Sequence, residues 1–237
     1  MNKEETTAKK YLESLQMGNV AFEPDGQIPP DFTVASRIAI EVRRLNENYF
    51  GGSRTSGLEE VDRPLHSKLK KVLTSYDRKF DGHSYLVALS FKRPLLDGIA
   101  KVGKEMHLAL DNFLRGTRPT PSQVKVNNNI SFEIFPYHAV PNRVFLHGTT
   151  SDDDSGGIVV QLYATNISHC IREKSQKISR YRSRYTEWWL LLVDTVRAWD
   201  LMPDEVQQVR GGIPNIGSFD QLIIIDYLGS KCFLRIP

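Results

Sequence analysis

Residues 30–43 read PDFTVASRIAIEVR and contain two β-rich runs, 31–34 and 38–42, joined by a short polar link. Such a pair of runs predicts a β-hairpin. Since side chains alternate along a strand, Ala39, Glu41 and Arg43 share one face of the second run, and three branched apolar residues share the other.

Glu41 is the unusual residue of this hairpin, because it lies inside an apolar run. An ionised carboxylate buried there would cost several kcal/mol unless it were paired or bound to a cation. One interpretation is that the face carrying Glu41 meets solvent. The other is that Asp31 and Glu41 converge from neighbouring strands and hold a divalent cation through oxygen.

The spacing of apolar residues at 166–185 predicts a helix, and the inward stripe of that helix includes a lysine. The stripe has steps of three and four and runs Ile167, Ile171, Lys174, Ile178, Tyr181, Tyr185. The Lys174 stem can reach past a core to solvent, which is one interpretation. An inward ammonium beside two carboxylates would instead suit a site that handles phosphate.

These segments together resemble a known family. Pro30-Asp31 followed by Glu41-Val42-Arg43 is similar to the Pro-Asp…(Asp/Glu)-x-Lys signature of the PD-(D/E)XK nuclease superfamily. The stretch IREKSQKISRY at 171–181, which leads into WWLLL at 188–192, resembles the helix and following strand of many uncharacterised bacterial members.

The resemblance implies an α/β fold with a restriction-endonuclease-like core, in which helices flank a central mixed β-sheet. Residues 1–237 would form a single nuclease-like domain, with core segments at 4–45 and 166–194. A large α+β insertion would span 46–165, and a C-terminal extension would span 195–237. Helices of the insertion could clamp a substrate or form the surface of a homodimer.

The resemblance also implies a metal site. Asp31 and Glu41 would bind Mg²⁺ or Mn²⁺, with the backbone carbonyl of Val42 as a further ligand. Glu13, on the first helix, would be the additional acidic residue that many members carry there.

Arg43 stands at the family's lysine position. Arginine stays protonated and cannot act as a general base, although it can stabilise negative charge. In some members the following helix supplies the lysine, which predicts that role for Lys174, with Lys177 as its substitute.

The net charge of the chain is small, but many of its basic residues lie in one segment. The whole chain has 31 basic and 28 acidic residues, whereas residues 168–187 alone have six lysines and arginines against two glutamates. Backbone contacts to nucleic acid are therefore predicted for four arginines of this segment, although an exposed helix face explains them equally well. They are Arg172, Arg180, Arg182 and Arg184.

Three functions follow from the sequence. The first is a metal-dependent nuclease that hydrolyses phosphodiester bonds, with DNA favoured over RNA. The second is a catalytically inactive module of the same fold that binds nucleic acid or a protein partner. The third is an unrelated α/β protein in which the short motif arose by chance.

Other classes are disfavoured by what the sequence lacks. Two cysteines, Cys170 and Cys232, cannot form a disulfide scaffold or a CxxC zinc site. HExxH, Walker, GxGxxG and GxSxG motifs are absent. With no signal peptide and no apolar run near the ~18 residues that span a bilayer, we expect a soluble, cytoplasmic protein without membrane contact.

The remaining periodicity gives the other elements. Helices are predicted at 4–17, 64–79 and 95–115, and strands at 85–91, 130–135, 143–146, 158–163, 188–194 and 222–226. The acidic run at 152–154 is interpreted as a solvated loop rather than a calcium site.

Overall fold

The computed structural model describes residues 1–52, 55–196 and 201–237. These residues divide into two compact units, one formed by 1–47 and 157–237 and the other by 48–156. The elements, in chain order, are α1 (Lys3–Ser14), β1 (Val20–Phe22), β2 (Phe32–Val34), β3 (Ile38–Leu45), β4 (Asn48–Tyr49), β5 (Ser56–Gly57), α2 (Glu59–Thr74), β6 (Ser84–Phe91), α3 (Ile99–Arg115), β7 (Ser122–Lys125), β8 (Ile130–Tyr137), β9 (Phe145–Asp152), α4 (Val159–Ile178), β10 (Glu187–Asp194), α5 (Pro203–Gly211), β11 (Gln221–Ile225) and β12 (Cys232–Ile236).

The first unit is built on a six-stranded mixed sheet with the order β1-β2-β3-β10-β11-β12. Its middle strands β3, β10 and β11 are parallel, and the outer pairings are antiparallel. Because parallel central strands are covered on both faces, β10 can carry an unbroken apolar run, WWLLLV at 188–193. The α/β prediction is confirmed in this form, a mixed sheet flanked by helices.

Helices cover both faces of this sheet. Ala8, Tyr11 and Leu12 of α1 pack with alternate side chains of β3, β10 and β11 on one face. The inward side chains of α4 and α5 pack with the intervening residues of the same strands on the other. The hairpin of β2 and β3 is confirmed, with Phe32 opposite Ile40. On the face that solvent could have covered, Ala39 and Glu41 are fully buried beneath α4, whereas Arg43 is partly exposed.

The second unit has its own sheet and core. Its strands have the order β7-β8-β6-β9, with β6 antiparallel to β8 and parallel to β9, and β4 and β5 form a separate short pair. Apolar residues of α2 and α3 pack on the four-stranded sheet. Its acidic loop is not simply solvated, because Asp152 pairs at 2.5 Å with Arg93, whose side chain is 1% exposed.

Two predictions were wrong in the last third of the chain. Residues 158–163 are not a strand, because α4 begins at Val159 and continues to Ile178, short of the predicted end at 185. Their branched side chains favour a strand locally, but the helical turn places Tyr163 in the core, where its hydroxyl donates to Asp194 at 2.6 Å.

Two strands that follow residue 194 belong to the sheet. The sequence predicted a strand at 222–226 but assigned 195–237 to an extension, whereas β11 and β12 form two of the six strands. Among the described residues, no helix is long and apolar enough to cross a bilayer.

Candidate functional site

Two carboxylates meet where β2 and β3 pair. Asp31 directly precedes β2, and its Oδ2 accepts a hydrogen bond from the backbone N–H of Val42 at 2.7 Å. Glu41 lies next to Val42 in β3 and is 0% exposed. The hairpin register therefore holds both carboxylates side by side.

Two lysines from α4 complete the cluster. Lys174 Nζ donates to Glu41 Oε2 at 2.6 Å and lies 3.6 Å from Asp31 Oδ2. Lys177 Nζ lies 2.9 Å from Glu41 Oε2 and 3.4 Å from Asp31 Oδ1. Since residues three apart share a helix face, one turn of α4 places both ammonium groups against both carboxylates. We call Asp31, Glu41, Lys174 and Lys177 the charged quartet.

The quartet is a partly buried site in which two negative and two positive groups meet. Burial raises the pKa of the Glu41 carboxyl, and the positive charge of Lys174 opposes the rise. Partial burial works against protonation of Lys177, but the negative charges of Glu41 and Asp31 outweigh it and raise the pKa of its ammonium. Two negative and two positive groups therefore neutralise one another.

An open polar cleft of about 420 Å³ adjoins the quartet. Asp31 and both lysines line it, together with Asn2, Glu4, Glu5, Val42, Arg43 and Arg44. The acidic residues that α1 contributes to this cleft are thus Glu4 and Glu5. Glu5 also caps the helix, since its Oε2 accepts from the backbone N–H of Asn2 at 2.6 Å.

The prediction for Glu13 was wrong in its placement. Glu13 does not line the cleft; its side chain is 55% exposed and pairs with Lys9 at 3.6 Å. Order along the chain could not distinguish the two ends of α1. The capping pattern Asn2-x-x-Glu5 marks where this helix begins, but it does not tell which end of the helix faces the cleft.

Arg43 lines the cleft, and its side chain forms an ion pair with α4. Its guanidinium donates to Glu173 of α4, with Nη2 3.1 Å and Nε 3.3 Å from Oε2. The ammonium groups that contact Asp31 and Glu41 come from α4 instead.

The four predicted nucleic-acid contacts have different surroundings. Arg182 Nη2 donates to both carboxylate oxygens of Asp220, at 2.8 and 2.9 Å, and Arg184 pairs with Asp25 at 3.3 Å. These two side chains therefore tie the loop between α4 and β10 to other parts of the first unit through ion pairs. Arg172 and Arg180 are exposed on α4 and just beyond it.

Known proteins supply no further guide to this site. The chain matches no family model, no curated protein and no solved structure. Among the residues that the structure describes, no three His, Cys, Asp or Glu side chains group to hold a metal ion. What can be inferred about function therefore comes from the quartet and its cleft.

Proposed function

We propose that the chain is a metal-dependent nuclease of the PD-(D/E)XK type, with a restriction-endonuclease-like core. The observation that carries the proposal is the convergence of Asp31, Glu41 and Lys174, from two strands and a helix, beside an open cleft. Three residues of the types that metal-assisted phosphodiester hydrolysis requires are brought together although 133 positions separate Glu41 from Lys174. The nucleic acid we propose as substrate is DNA rather than RNA.

The residues present fit Mg²⁺ or Mn²⁺. These ions prefer oxygen ligands, and Mg²⁺ is commonly held by only one or two protein carboxylates together with waters and substrate phosphates. Asp31 and Glu41 would hold the ion, with the Val42 carbonyl as a further oxygen.

The chemistry divides between the cation and the protein. A divalent ion supplies Lewis acidity and lowers the pKa of a bound water. Lys174 holds Glu41 in place and presents a fixed positive charge, which orients a water nucleophile and stabilises the charge that develops on phosphoryl oxygens. Arg43 contributes positive charge to the cleft wall but cannot accept a proton.

The test is cleavage of plasmid, single-stranded DNA and RNA with Mg²⁺ or Mn²⁺ by the wild type and by Asp31→Asn, Glu41→Gln and Lys174→Met. We expect each substitution, and chelation, to reduce cleavage by at least about 100-fold. Glu133→Gln removes an exposed carboxylate from β8 of the second unit and is the matched control. Cleavage that survives both carboxylate substitutions would rule this site out.

A second candidate is a non-catalytic binding module. It is favoured by Arg43, which replaces the family's lysine and is engaged with Glu173. This candidate predicts nucleic-acid binding that persists in EDTA and is unchanged by Asp31→Asn, without cleavage.

A further inference from the structure

The two lysines of the quartet differ in how deeply they are buried. The Lys174 side chain is 9% exposed, whereas that of Lys177 is 43% exposed. Lys177 is the penultimate residue of α4 and lines the open cleft. Its ammonium can therefore leave the carboxylates for solvent without opening the core.

Lys177 lies where a bridging cation would lie. Its Nζ is within 3.4 Å of three carboxylate oxygens, namely Asp31 Oδ1 and both Oε atoms of Glu41. These are oxygens that a divalent ion would also need. Lys174 approaches Glu41 Oε2 and the other oxygen of Asp31, Oδ2, from its buried position.

We propose that Lys177 is a displaceable counter-ion, which neutralises Asp31 and Glu41 in the metal-free protein and competes with the divalent cation for them. The inference rests on the proposed function. Lys174 stays with Glu41 in both states, because its removal would leave a fully buried carboxylate without its closest cation.

Charge explains why Lys177 must move. With both lysines in place, the two ammonium charges already balance the two carboxylate charges. A divalent ion would then leave the half-buried site with a net charge of two positive units. Departure of one ammonium reduces that net charge to one. The cation must therefore displace the Lys177 ammonium from the carboxylates, and removing this lysine should make cation binding tighter.

The experiment measures Mn²⁺ alone, without nucleic acid, by calorimetric titration and by the electron paramagnetic resonance signal of free Mn²⁺. Lys177→Met keeps the length of the side chain and removes its charge, and we expect it to bind Mn²⁺ at least about tenfold more tightly than the wild type. Lys177→Arg retains the charge and should not gain affinity. Lys70→Met, which removes an exposed lysine from α2 of the second unit, is the charge-matched control.

The outcomes separate this inference from the proposed function. Tighter binding by Lys177→Met, abolished by adding Glu41→Gln, supports competition at the quartet. Equal or weaker binding by Lys177→Met, beside a wild type that binds Mn²⁺, overturns the inference alone. If neither the wild type nor Lys177→Met binds Mn²⁺ while both retain the same circular dichroism spectrum, the proposed metal site fails as well.

Discussion

Replacing Lys174 by methionine tests the buried part of the quartet through stability rather than activity. Glu41 is 0% exposed and its shortest contact is with Lys174, at 2.6 Å. Removing one partner of a buried ion pair costs about 3–5 kcal/mol, because the other charge remains buried without compensation. Since Lys177 still contacts Glu41 at 2.9 Å, we expect a loss near the lower end, about 3 kcal/mol.

The double variant Lys174→Met with Glu41→Gln separates charge from packing. With the buried carboxylate also removed, the loss should fall to about 1 kcal/mol, so that the second substitution rescues the first. Urea unfolding at pH 7.5 in EDTA measures both. No tryptophan occurs between residues 48 and 156, so tryptophan fluorescence reports on the first unit.

Two results would refute this reasoning. A loss of less than about 1 kcal/mol for Lys174→Met would mean that Glu41 is not a buried charge compensated by Lys174. A double variant less stable than Lys174→Met would mean that the Glu41 carboxylate stabilises the fold by another contact. The Lys70→Met control should unfold within about 0.5 kcal/mol of the wild type.

Three further outcomes are expected. Burial and the nearby charge of His66 lower the pKa of His147 below its usual 6.5. A nuclear magnetic resonance titration should therefore give a pKa below 6.5 for His147, and His66→Ala should raise that pKa. Because the unfolded chain then binds the proton more readily, the second unit should lose stability as pH falls through 6.5, and His147→Gln should remove that part of the loss. Arg93→Met should destabilise the second unit by about 2 kcal/mol in urea unfolding followed by circular dichroism, since it removes the ion pair with Asp152 and leaves the buried Leu58 carbonyl without its guanidinium donor; a loss below about 1 kcal/mol would contradict this. Gly217→Ala should lower the stability of the first unit by about 1–3 kcal/mol in the fluorescence assay, because the position has φ +68° and its new methyl group would collide with a serine of α4; wild-type stability would show that the loop can relax.

Local pattern predicted the hairpin and the existence of the helix that form the quartet, although not the ends of that helix. The hairpin follows from two β-rich runs with a short link, and strand β10 from an apolar run that only a sheet buried on both faces accommodates. Lys174 was identified because it interrupts an apolar stripe of helical period, and Glu41 because it interrupts an apolar strand. Each signal is carried by residues close together in the chain.

Long-range contacts decided what those signals could not. Only packing shows that Glu4 and Glu5, not Glu13, reach the cleft, since all three lie on one helix and order alone cannot orient it. The ion pair of Arg182 with Asp220 joins residues 38 positions apart, so the sequence showed a basic segment but not its partners.

The start of α4 shows the same limit. Branched residues at 158–160 favour a strand locally, yet the chain is helical from Val159 onward, because the helix buries Tyr163 and Ile167 against the sheet. The sequence by itself thus singled out the two acids, the lysine of the apolar stripe, the hairpin and the helix, because alternation and helical period are local. The tertiary structure decided that Lys177 also contacts both carboxylates and that Arg43 contacts Glu173, because these ion pairs form only when α4 packs across β3.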